Sequence, residues 1–144
     1  MKRRMASVII LLALLAMPAV MYGEDLKEKA DAFVKSVPEN MMYIMLARVV
    51  AAGVDAGDPS WVVLDIRPPQ HYNNGHIKGS LHIPLTELVG RMNEIPKGKK
   101  IAVFCAMDTN SAFAVAILRM YGYDAWIVEG GVPGWVKLGK PLEK

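Results

Sequence analysis

Short apolar runs recur along the chain with helical patterning between them: Trp61-Val62-Val63-Leu64, Leu81-His82-Ile83, Ile101-Ala102-Val103-Phe104 and Ala125-Trp126-Ile127-Val128. Runs that are apolar throughout, rather than alternating, belong to strands buried on both faces. Strands separated by helices pair in parallel, with helices covering the two faces of the sheet. A further strand is expected at Tyr43-Ile44. Helical stripes are expected over 46–54, stopping at Gly57, over 85–92, over 112–121 with Gly122 as its stop, and over 132–138. The 112–121 stretch is apolar nearly all round, with Arg119 its only charge, so deep burial is expected. A chain of 144 residues can build one such domain with a core of its own. The pattern predicts an α/β fold.

The first residues have a different character. Lys2, Arg3 and Arg4 precede a segment, 6–21, that is apolar apart from Ser7 and Pro18, and Ala19 and Gly23 stand before Glu24-Asp25. This reads as a secretory signal over 1–23, shorter than the roughly 20 apolar residues of a membrane span, with an uncleaved anchor as the alternative. No cysteine lies there to carry a lipoprotein anchor. The three basic residues account for the whole formal net charge of +3, so the remainder is balanced. Nothing there suggests a nucleic-acid partner, and the strongest basic run, Lys97-Gly98-Lys99-Lys100, reads as an exposed turn. Within 24–42, Leu26, Ala30, Phe33, Val34 and Val37 fall near helical spacing before Pro38. The expected organisation is a signal over 1–23, a helix and linker over 24–42, and one domain over 43–144. The expected localisation is exported, in the style of a bacterial periplasmic protein, with no membrane contact beyond the signal.

Cys105 is the only cysteine. It follows a buried strand and precedes the polar stretch Ala106-Met107-Asp108-Thr109-Asn110-Ser111, which feeds a helix. Unpaired N–H groups and the positive end of a helix dipole favour a nucleophilic thiolate and can cradle an anion. A lone cysteine in an exported chain makes no intrachain disulfide, which leaves intermolecular pairing, an inert buried thiol or a reactive one.

Three groups of residues together resemble the signatures of rhodanese-like domains. Leu64-Asp65-Ile66-Arg67, Gly75-His76-Ile77-Lys78-Gly79-Ser80 and Ile83-Pro84 resemble the first signature. Cys105 resembles the catalytic cysteine, and Gly130-Gly131, Trp135 and Gly139-Lys140-Pro141 resemble the closing signature. The resemblance covers 43–142. It implies a central parallel sheet of about five strands flanked by helices on both faces. It also implies sulfurtransfer, in which the Cys105 thiolate takes a sulfane sulfur, becomes a persulfide and passes that sulfur to a nucleophile. By the same resemblance the backbone of Ala106, Met107, Asp108, Thr109, Asn110 and Ser111 cradles the sulfur, with Asn110 and Ser111 best placed to touch it. Asp65 and Arg67 would hold their loop in shape by pairing, His76 would anchor it, and no cofactor or metal is required.

The chain departs from the family inside that loop. Catalytic members often read C-R-x-G-x-R, whereas Ala106, Asp108 and Asn110 occupy those positions here. A dianionic donor such as thiosulfate would lose charge-assisted hydrogen bonds worth about 1.5–3 kcal/mol each. The expected small partners are therefore a polysulfide or a persulfide as donor, with a thiol as acceptor. His71, where members often carry glutamate, is a further departure. The alternative is a catalytically degenerate module of the same fold that binds a protein partner. A cysteine phosphatase would need an arginine closing the loop, and Ser111 stands there. His71, His76 and His82 have spacings that suit neither a helix face nor a short chelating loop.

Overall fold

The apolar runs form one parallel sheet in the computed structural model, which describes residues 24–39 and 43–144. The expected signal over 1–23, and residues 40–42, lie outside the described residues. Helix α1 covers 24–36 and belongs to a unit of its own. Its charges recur at four-residue spacing, and Lys29 pairs with Asp25 at 2.9 Å and Lys35 with Asp31 at 2.7 Å. Pro38 stands just beyond the end of α1, where proline cannot continue a helix.

In the second unit, β1 (Ile44–Met45) leads into α2 (Ala47–Asp55), β2 (Trp61–Asp65), α3 (Pro69–Asn73) and β3 (Leu81–His82). Two short 3-10 turns, Leu85–Glu87 and Met92–Glu94, precede β4 (Lys100–Phe104), α4 (Asp108–Met120), β5 (Asp124–Val128) and α5 (Gly131–Lys137). The strand order is β1-β5-β4-β2-β3 and every pairing is parallel. The α/β class and the five-stranded parallel sheet match the expectation.

Register assigns the faces. Val63 pairs with Ala102 and Asp65 with Phe104, so these side chains share one face. There Ala102, Phe104 and Val128 pack in one cluster with Val50 and Ala51 of α2 and Trp135 of α5, and the Trp135 ring meets Phe104 edge-on at 6.2 Å. The alternate residues Ile101, Val103, Ala125 and Ile127 point to the other face. Helix α4, which packs on β4 and β5, buries Ser111, Ala114, Val115 and Leu118.

Three expectations need correction. The single helix over 85–92 is replaced by the two 3-10 turns. Leu88, Met92 and Ile95 are all buried, but two tight turns around Gly90 achieve this. Helix α4 is not buried all round, since Phe113 is largely exposed. It also begins at Asp108 rather than 112, so Asp108, Thr109, Asn110 and Ser111 form a helical first turn instead of a loop. Polar residues of this kind are favoured at helix starts as well as in loops, and Asp108 suits the positive end of the dipole.

The topology fixes where chemistry can sit. From β2 the chain moves outward to β3, then crosses back to β4 and on to β5. The direction reverses between β2 and β4, and beyond the carboxyl ends of strands at such a reversal an open α/β sheet leaves a crevice. Asp65 closes β2 and Cys105 follows β4 at that edge.

Candidate active site

Cys105 continues the alternation of Ile101 and Val103, which turns its side chain toward the face covered by α4. It is 2% exposed. Its thiol donates to the carbonyl oxygen of Met107. Met107 is the N-cap of α4, with extended backbone and no side-chain capping bond. An N-cap carbonyl accepts the first helical hydrogen bond, here from the Ser111 N–H. The sulfur and Ser111 therefore gather around one oxygen atom. The remaining N–H groups of the first turn have no intrahelical partner.

Two polar atoms of this turn are buried without a hydrogen-bond partner among the described residues: the Ser111 hydroxyl and Oδ1 of Asp108. Ser111 is wholly buried. Spacing of three places both residues on the same side of α4. Ala106, Met107, Thr109 and Asn110 are exposed around them. Met107 is 68% exposed, and Phe113 is exposed further along the helix. Over 105–113 the single charged side chain is Asp108.

Behind the cysteine, the turn from β5 to α5 braces the backbone. The Val132 N–H donates to the Cys105 carbonyl at 3.1 Å. Gly131 has φ +49°, and a Cβ there would lie 2.5 Å from the Cys105 oxygen and 3.1 Å from that of Ala106. Glycine at this position thus satisfies both a left-handed backbone and a close approach.

On the other flank, Asp65 and Arg67 are both buried and bonded to each other. Oδ1 of Asp65 accepts the Arg67 backbone N–H at 3.0 Å and its Nε–H at 2.9 Å, and Oδ2 accepts Nη2–H at 2.6 Å. Nη2 also donates to the Gly75 carbonyl at 2.7 Å, and the guanidinium lies 5.3 Å from the Phe104 ring centroid. This buried arginine is committed to the scaffold.

His76 anchors a different segment. Its backbone exchanges hydrogen bonds of 2.8 Å with Glu143, tying the Gly75 turn to the end of the chain. Its ring stacks on Tyr72 at 4.0 Å, and His82 stacks on Tyr72 at the same distance. His82 Nε2–H donates to the Arg67 carbonyl at 2.8 Å. The structure thus brings Asp65 and Arg67 together as expected, while His76 acts through Tyr72 and the C-terminal segment. Sequence spacing weighs His82 only as a metal ligand and leaves Tyr72 aside, because their stacking depends on where β3 lies. Among the described residues no group of three or more His, Cys, Asp or Glu side chains could hold a metal ion. No helix of the described residues is long and apolar enough to cross a membrane.

With an edge cysteine between two braced turns on a five-stranded parallel sheet, the class is set by comparison. The chain belongs to the rhodanese-like domain family, which matches residues 47–138. It is similar to a sulfurtransferase of Allochromatium vinosum, 32% identical over 82 residues, 56% of this chain and 77% of that protein. Similarity to the protein YqhL of Bacillus subtilis is 34% over 74 residues, 51% of this chain and 59% of that protein. A rhodanese-related protein from Thermoplasma volcanium has the same fold, with TM-score 0.63 and 32% identity, covering 69% of this chain and 96% of that one. The general function of this family is sulfurtransfer, and the buried Cys105 is consistent with persulfide chemistry.

Proposed function

We propose that this chain is an exported carrier or transferase of sulfane sulfur that works through a Cys105 persulfide and is loaded by polysulfides or persulfides. In the loading step the Cys105 thiolate attacks the outer sulfur of R–S–SH. The S–S bond of the donor breaks, R–S⁻ leaves and takes up the thiol proton as R–SH, and Cys105–S–SH forms. In the second step an acceptor thiolate attacks that outer sulfur and Cys105 is released as the thiolate. The sulfane sulfur moves without a net oxidant or reductant, so no cofactor enters.

The observation that carries this reading is the wholly buried Ser111 hydroxyl, unpartnered among the described residues, in the uncapped first turn of the helix whose N-cap carbonyl accepts the Cys105 thiol. A persulfide extends one atom beyond the thiol and is stabilised by donors of this kind. The backbone of Ala106, Met107, Asp108, Thr109 and Asn110 completes the cradle. With Arg67 bound to Asp65 and no cation over 105–113, that turn offers thiosulfate no cationic side chain of its own. The signal-like segment over 1–23 supports export.

A second reading, a degenerate module that binds a protein partner, is favoured by the exposed Met107 and Phe113 beside the cation-free turn. The deciding experiment is the intact mass of reduced protein after incubation with polysulfide or thiosulfate, with Cys105→Ser alongside. A cyanide-removable gain of one sulfur atom with polysulfide, absent in the variant, is the expected result. No uptake by a reduced, accessible thiol would favour the binding module.

A further inference from the structure

We infer that the site selects its sulfur donor by charge, accepting persulfides that carry an ammonium close to the sulfane sulfur and discriminating against those that carry a carboxylate. This rests on Cys105 being the persulfide site.

Asp108 is the group that reads the charge. It is the one charged side chain over 105–113, and it opens the turn that holds the sulfur. Oδ1 of its carboxylate is buried and has no donor among the described residues, a costly arrangement for a carboxylate oxygen unless something that binds there supplies one. The Ser111 hydroxyl on the same side of α4 serves the sulfur as a neutral donor, so the turn offers a place for the sulfane atom and a separate acceptor for a cation. Among the described residues no cation is paired with Asp108. Arg119, on the same helix, is bound to Asp124 at 2.9 Å and to the Ala125 carbonyl at 2.7 Å, and lies 3.6 Å from the Tyr43 ring centroid. Arg67 is bound to Asp65 and to the Gly75 carbonyl. Ala106 and Met107, next to Asp108 in the chain, are exposed and apolar, which suits a short aliphatic frame between the ammonium and the sulfur.

The test compares persulfides that share a two-methylene spacer and differ in the charge of the terminal group: those of cysteamine, 2-mercaptoethanol and 3-mercaptopropionate. Loading of Cys105 is followed by intact mass at low salt and at high salt, for wild type, Asp108→Asn and Asp108→Ser. The expected order is cysteamine over mercaptoethanol over mercaptopropionate. A single nearby charge supports a spread of about tenfold from first to last at low ionic strength, narrowing as salt screens it. In both variants the spread collapses to within about twofold. Equal rates for the three donors overturn the inference and leave the persulfide site standing. So does the same order with no dependence on salt or on residue 108. No loading from any donor overturns the persulfide reading and this inference with it. If neither variant folds, the salt series on the wild type decides alone.

Discussion

The α-carbon of Gly131 rests against the carbonyl oxygen of Cys105, so that the first turn of α5 and the residue that would carry sulfur share one tightly packed contact. The contact also aligns Val132, whose N–H holds the same oxygen. The backbone of Cys105 is thereby fixed from behind, while its side chain turns toward the start of α4.

Gly131→Ala therefore meets two penalties, a left-handed backbone and a Cβ inside van der Waals contact with Cys105. We expect a loss of about 2–3 kcal/mol in urea unfolding, with slower persulfide loading in the folded protein. Gly57→Ala is the control. Gly57 has φ +60° but nothing within 4 Å of an added Cβ, so it should lose only about 1 kcal/mol and load sulfur normally.

Arg67→Ala leaves the Asp65 carboxylate buried with no cation. Breaking such a pair costs about 3–5 kcal/mol, and chemical denaturation should register it. Removing both charges together, as Asp65→Leu with Arg67→Met, should restore part of that loss. A double variant as unstable as Arg67→Ala alone would show that the hydrogen bond to Gly75, rather than the pair, carries the effect.

Ala106 and Asn110 are exposed, so arginines placed there have room. The double variant Ala106→Arg/Asn110→Arg should unfold within about 0.5 kcal/mol of wild type. Two charge-assisted hydrogen bonds of about 1.5–3 kcal/mol each should raise thiosulfate loading at least about tenfold. Unchanged thiosulfate loading would show that the missing arginines are not what limits this donor.

Acid should weaken the fold through carboxylates away from the site. Hydrogen bonds from Arg91 hold Glu94 below the usual carboxylate range, and the Ser60 backbone N–H does the same for Asp58. A carboxyl group lowered in the folded state contributes stability above its unfolded pKa and loses it as pH falls through the folded one. Glu94→Gln should flatten the acid limb of a stability-against-pH curve slightly, and salt should shrink the difference, because both groups are exposed.

The strands were legible because runs such as Ile101 to Phe104 are apolar without alternation, which only a doubly covered sheet explains. Cys105 was legible by its place after one of them. The start of α4 was not, since Asp108-Thr109-Asn110-Ser111 has the composition of a loop and of a helix's first turn alike. Leu85, Leu88 and Met92 satisfy helical spacing, yet two 3-10 turns bury Leu88 and Met92 as well. Helix α3, of 5 residues, is too short for a periodic stripe. The missing cations were plain in the sequence, whereas the commitment of Arg67 to Asp65 and Gly75 and the stack of Tyr72 between two histidines required the fold.

Met107 stands at a helix start where serine, aspartate or asparagine would ordinarily serve, and its side chain caps nothing. A capping residue there would stabilise α4 by about 1 kcal/mol, but its oxygen would bind the same N–H groups that a persulfide needs. On the persulfide reading, tolerance of a weak helix end is thus a condition of keeping those donors open, and a thermostabilising cap at position 107 would close them.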